Sequence, residues 1–244
     1  MSSAATASPA SSFPVYFLLR RLQSLGGILF GGYICVHLLV NATIIQGRNP
    51  DVYQQQVDKI HSLPFLLGVE LTAIYAPLLI HALYGLYVAI NGKPNVEHYS
   101  YVKNWFYVLQ RVTAIALLLF IFFHIGGMYG WFGETLKFDH TKSFESVERH
   151  LRANPLLYLV VYPLGILFAT FHTANGFYTA AISWGLTVSK KSQDRWGWMC
   201  LGLFGFSSLC GILAIVGVFL HHNSLVKGVG ENDPTERSGL HDGR

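Results

Sequence analysis

The sequence predicts an all-α membrane protein with five transmembrane helices, the first four forming a bundle. Charged residues are only 12% of the 244 and apolar residues 52%, too little charge for an ordinary soluble domain of this length. Five apolar runs, at 25–45, 65–90, 112–131, 156–183 and 198–220, approach the length of about twenty residues that crosses roughly 30 Å of hydrocarbon. A single histidine stands inside each of the first four.

Residues 1–19 open with small polar residues (MSSAATASPASS) and read as a flexible N-terminal segment. They lack the basic start of a secretory signal. The run after Arg20 and Arg21 is too long for a signal core and no small-residue cleavage pattern follows, so no cleavage is expected. The first helix carries Gly26, Gly27, Gly31, Gly32 and His37, and the second carries Glu70, His81 and Gly85. The third carries His124, the fourth His172 and Gly176. The fifth closes a transmembrane unit at 20–222 with His221 and His222, and 223–244 reads as a disordered tail. Short loops joining helices that run alternately up and down make sequence neighbours antiparallel.

Cys35, Cys200 and Cys210 fall in apolar helices at spacings that suit no disulfide frame, zinc site or iron-sulfur motif, and read as packing residues. The net charge of +4 is scattered over loops without the basic stripe that nucleic acid requires. With the N-terminus inside, the inner segments hold eight lysines and arginines and the outer ones seven. That margin of one leaves orientation open.

A histidine inside hydrocarbon costs a few kcal/mol unless something uses its nitrogen, so four at matched positions ask for one cause. His37 lies nine residues before Gln46 and His124 ten before Glu134, at helix ends on one face. Counted from that face, His81 lies seventeen residues after Pro64 and His172 seventeen after Pro155. The two levels then differ by about 11 Å at 1.5 Å per residue, room for two stacked haems. Depth pairs His37 with His124 around an outer haem iron and His81 with His172 around an inner one. Two imidazoles saturate each iron, so the sites pass electrons and leave no open position for oxygen chemistry. The glycines one turn past His81 and His172, and the four on the first helix, give a macrocycle room or are ordinary small-residue contacts between helices. His61, His98, His140, His150, His221, His222 and His241 lie in loops, at helix ends or in the tail and are assigned no ligand role, the neighbours His221 and His222 having no partner at their depth.

The segments RRLQSLGG, HLLVN from His37, SLPF, PLLIHALYGLYVA around His81, NWFYVLQRVT, HTANGF from His172 and SWGLTVSKKSQ closely resemble the cytochrome b membrane anchor of succinate dehydrogenase. The type is the single-chain, five-helix, two-haem anchor found with menaquinone and shared with related fumarate reductases. The match covers about 20–220. The resemblance implies two haems b held by His37, His81, His124 and His172, with the same pairing as the depth count. It implies a flavoprotein subunit with FAD and an iron-sulfur subunit docked on the cytoplasmic face. Electrons would pass from succinate through these subunits and both haems to quinone. It also implies a multi-pass protein of the cytoplasmic membrane, surrounded by lipid, with its N-terminus inside.

Gln23 and Ser24 match family positions that bind propionates of the inner haem, and their place at a helix N-terminus beside Arg21 suits carboxylates. Where some relatives have a lysine before Trp-Gly this chain has Ser183, so that contact would come from elsewhere, with Lys190 and Lys191 as candidates. Quinone reduction needs proton exchange near a haem edge, and Glu70, the only formal charge within the five runs, is the candidate. Its alternative is a carboxylate reaching the interface or bonded to a neighbouring helix. Gln110 and Arg111 either hold propionates or anchor the third helix. Two other functions compete. One is a di-haem cytochrome of a formate dehydrogenase or hydrogenase, whose motifs differ, and the other a transporter relaying protons through histidines, which would be colourless.

Overall fold

A bilayer offers no partner to backbone amides, so apolar segments that enter it close their hydrogen bonds internally as helices. The computed structural model describes residues 15–47, 51–94 and 96–230. Its long helices are α1 (Val15–Ala42), α4 (Ala76–Asn91), α5 (Val102–Met128), α7 (Tyr162–Ser183) and α8 (Lys190–Gly230). Between them lie α2 (Val52–His61), α3 (Leu66–Glu70) and α6 (Ser143–Arg152). Among the described residues, five helical stretches are long and apolar enough to cross a membrane: Val15–Gln46, Leu66–Asn91, Val102–Met128, Leu157–Ser183 and Lys190–His221. Large apolar side chains along them, among them Leu83, Leu119, Leu159 and Leu209, are exposed, as a lipid solvent permits. Together with the family shown below, these spans make the chain a multi-pass membrane protein.

Several boundaries differ from those the sequence predicts. Helix α1 begins at Val15, so residues 15–19 of the segment read as flexible are helical, because VYFLL follows Pro14 without a breaker. Residues 1–14 lie outside the described residues. Helix α5 starts ten residues before the expected 112, since the polar residues of its first turns are compatible with a helix even where they are too polar to count as span. Helix α8 runs on to Gly230, into the segment read as a disordered tail, and no proline falls between Pro163 and Pro234 to stop it. The remainder, 231–244, lies outside the described residues.

Helices α1, α4, α5 and α7 form a closed ring in which each touches the next, and α8 packs outside it against α1 and α7. Two members of the ring carry a widened, π-helical turn, Leu71–Tyr75 ahead of α4 and Leu157–Val161 ahead of α7. Each comes just before a proline, Pro77 or Pro163, whose ring cannot donate a hydrogen bond and crowds the carbonyl four residues back. The widened turn absorbs that crowding without ending the span.

The predicted short loops at one end are instead a folded cap. Helices α2 and α6 bury Tyr53, Val57, Phe144 and Leu151 with Ile44 and Val218. Asp51 caps α2 by accepting from the Gln54 amide at 2.9 Å. Gln54 then ties the two loops together, accepting from the Ser143 amide and hydroxyl at 2.9 and 2.7 Å and donating to the His140 carbonyl at 2.8 Å. His221, assigned no ligand role from the sequence, bonds the Ile45 carbonyl at 3.1 Å and fastens α8 to this capped end.

Candidate functional site

The ring places one histidine on each helix: His37 on α1, His81 on α4, His124 on α5 and His172 on α7. Since α1 touches α4 and α7, its diagonal partner is α5, and α4 lies diagonal to α7. The rings of His37 and His124 face each other across one diagonal with centroids 5.9 Å apart. Those of His81 and His172 face each other across the other at 6.0 Å. An imidazole nitrogen stands about 2 Å from a metal, so two rings on opposite sides of one iron have centroids about 6 Å apart. Both pairs have that spacing.

The pairs occupy different levels. His81 packs on Gly27, ten residues before His37 on α1, and His172 bonds Thr113, eleven before His124 on α5. Helical rise makes the separation about 15 Å, wider than the expected 11 Å. The reason is that α1 ends at Ala42 and α5 at Met128, about one turn past their histidines, so the first pair sits nearer the capped end than loop boundaries suggest.

Three of the four rings are oriented through Nδ1, leaving Nε2 as the free lone pair. His81 donates to the Gln23 carbonyl at 2.9 Å. His172 faces the Thr113 hydroxyl at 3.2 Å, whose own proton goes to the Leu109 carbonyl, so the threonine oxygen accepts. His124 faces the Tyr162 hydroxyl at 3.1 Å. His37 is the exception, with only a 3.5 Å contact from its Nε2 to the Asn41 amide. Metal-ligating histidines characteristically donate their second nitrogen in this way.

Among the described residues, no group of three or more histidine, cysteine or acidic side chains converges. A bare cation would find only two ligands at either level, whereas a metal that brings its own macrocycle needs no more. The glycines divide between the two readings. A Cβ on Gly26 would lie 2.8 Å from the Pro77 carbonyl and one on Gly31 3.0 Å from Phe177, so these are close helix contacts. Gly32 has open space beyond it, and Gly85 and Gly176 meet only the amide ends of Gln23 and Gln110, at 3.5 and 3.7 Å. Such cradles beside the His81 and His172 rings suit a flat group.

At the end opposite the cap, Ser24 accepts from the Trp184 indole at 2.9 Å and Arg21 reaches the Ser183 carbonyl at 2.8 Å. Arg21 also lies 4.8 Å over the Trp184 ring. The cation at the Ser183 position is thus Arg21; Lys190 pairs with Asp194 and is exposed. Gln110 bonds the His172 carbonyl at 3.1 Å and Asn175 at 2.7 Å, so it anchors α5 to α7, while Arg111 stacks 3.4 Å over Tyr107.

Glu70 ends α3 at the start of a widened turn, is half-buried, and makes no hydrogen bond or ion pair among the described residues. It lies within electrostatic reach of Tyr33 and Tyr75. Tyr33 packs 5.6 Å from the His37 ring, and the Tyr75 and Tyr129 hydroxyls are 3.0 Å apart. With the longer spans Glu70 is no longer the one charge inside them, since Arg20, Arg21, Lys103, Arg111, Lys190, Lys191, Asp194 and Arg195 also fall within. A separate apolar cleft of about 250 Å³ between α5 and α7, lined by Leu119, Phe120, Leu164 and Phe168, offers no proton partner.

His150, assigned no role from the sequence, is 1% exposed. It bonds the Tyr162 hydroxyl at 2.6 Å and the Leu136 carbonyl at 2.9 Å. Burial pushes its basicity below the ordinary imidazole value, while the Leu136 bond pulls the other way. Tyr162, Thr113 and Tyr33 also escaped the sequence reading, because a hydroxyl in an apolar run carries no periodic signal.

Residues 91–214 match the model of the family described as succinate dehydrogenase/fumarate reductase transmembrane subunit. The chain is also 34% identical over 202 residues to the succinate dehydrogenase cytochrome b558 subunit of Bacillus subtilis (strain 168). That alignment covers 82% of this chain and 95% of the relative. With half the chain inside the family model and most of it aligned to a full-length relative, the chain belongs to the succinate dehydrogenase/fumarate reductase transmembrane subunit family.

Proposed function

We propose that the chain is the cytochrome b anchor of a succinate:quinone oxidoreductase, carrying electrons between an iron-sulfur partner and menaquinone through two haems b. The observation that carries this reading is the pair of diagonals: four histidines, one per ring helix, meeting two by two at 5.9 and 6.0 Å on separate levels. His37 with His124, and His81 with His172, would each hold the iron of a haem b, which when bound would supply reversible one-electron chemistry.

The chain's own residues do the rest. Gln23, Thr113 and Tyr162 hold three imidazoles with Nε2 inward. Gln23, Ser24 and Arg21 offer donors to propionates of the inner haem, at the end where the flavoprotein and iron-sulfur subunits dock. That end faces the cytoplasm, with the N-terminus, and the capped end faces out of the cytoplasmic membrane. Glu70 exchanges the protons that quinone chemistry requires, beside Tyr33 and the outer pair.

Redox titration of variants tests the reading. Replacing His37 or His124 removes the outer transition and replacing His81 or His172 the inner one, because a half-ligated iron in a dry site is lost. If His37 and His81 variants lose the same transition, the assignment fails.

A further inference from the structure

The two pairs are not held alike. The inner imidazoles bond a backbone carbonyl and a threonine of the ring helices. On the outer pair, His124 begins a line of side chains that leaves the ring and ends in the cap: His124 Nδ1 to Tyr162 at 3.1 Å, Tyr162 to His150 Nε2 at 2.6 Å, and His150 Nδ1 to the Leu136 carbonyl at 2.9 Å.

The direction of this line follows for a neutral His150, which carries one ring proton. A carbonyl only accepts, so His150 Nδ1 donates to Leu136 and its Nε2 is left as an acceptor. The Tyr162 proton therefore goes to His150, and the Tyr162 oxygen accepts from His124. A hydroxyl that has given its proton to a strong acceptor is itself a better acceptor. His124 thus loses more of its Nδ1–H than a lone tyrosine would draw, and its Nε2 becomes the more basic ligand.

The surroundings keep the line in place. Phe120 stacks on His124 at 5.8 Å with planes 12° apart and meets Tyr162 edge-on at 5.6 Å. A Cβ on Gly127 would come 2.9 Å from His150 Cε1, so the α5 end has a glycine where the His150 ring lies. His150 is 1% exposed and both its nitrogens are bonded, which fixes the ring in place.

We propose that Tyr162 and His150 are positioning residues for the outer haem: through His124 they raise the basicity of its axial imidazole, favour the oxidised iron and lower the outer potential. The proposal rests on the two-haem reading above. A basic axial ligand stabilises the more positively charged iron, and second-partner bonds of this kind set that basicity.

The test is a redox titration, followed in the visible, of the haem-loaded complex in mild detergent. Wild type is compared with Tyr162→Phe, His150→Phe and His150→Gln. Tyr162→Phe moves the outer transition to higher potential and leaves the inner one in place. His150→Phe moves it the same way by less, and His150→Gln, whose carbonyl can accept from Tyr162, brings it back towards wild type. Unmoved transitions in Tyr162→Phe, or a shift of both together, overturn the proposal. If Tyr162→Phe fails to hold the outer haem, the two His150 variants decide, and equal outer potentials in them overturn it. A wild-type protein with fewer than two transitions overturns the two-haem reading and this proposal with it, whereas two wild-type transitions that ignore Tyr162 overturn the proposal alone.

Discussion

The imidazoles of His81 and His172 stand with centroids 6.0 Å apart and planes crossed at 84°. His37 and His124 repeat the arrangement at 5.9 Å and 77°. Axial rings set nearly at right angles leave the two iron orbitals that interact with them close in energy. Low-temperature electron paramagnetic resonance of the oxidised protein is expected to show two low-spin signals of the large-g type that crossed rings produce. A pair of rhombic signals, as from parallel rings, would contradict this geometry.

The attachment of α8 depends on a close approach. A Cβ on Gly217 would lie 2.7 Å from the Ile45 amide nitrogen and 2.9 Å from the Ile44 carbonyl carbon, and backbone cannot swing aside. Gly217→Ala is expected to cost about 1–3 kcal/mol and lower the thermal midpoint. On the same helix, Gly202 has nothing within 4 Å of such a Cβ, so Gly202→Ala should hold or raise it. Equal midpoints in the two variants would remove the close contact from the account.

The five spans and the four bundle histidines were legible because both are coded by composition: long apolar runs, and one polar ring in each of four. The cap was not. Helices α2 and α6 have ten residues each, and their buried faces are completed by Ile44 and Val218 from distant spans. The partners of His150 were not legible for the same reason, since a position near the end of a short polar helix carries no sign of the Tyr162 hydroxyl that the fold sets against it. Depth counted from loop boundaries undershot because α1 and α5 end well before the polar residues that marked the boundary.

Glu70 is expected to serve quinone rather than the fold. Glu70→Gln keeps the shape and removes the titrating group, so quinone-linked turnover should fall while both haem spectra and dye-linked succinate oxidation stay intact. Wild-type quinone turnover in that variant would return Glu70 to a structural part.

The purified chain alone is expected not to oxidise succinate, and activity should appear only with the flavoprotein and iron-sulfur subunits. Succinate-dependent dye reduction by the single chain would contradict the division of labour proposed here.

Four imidazoles at two levels can saturate two irons, and haem per chain, by pyridine haemochrome against protein concentration, measures this directly. Fully loaded protein is expected to give two haems b per chain, and a ratio near zero or one would contradict the account.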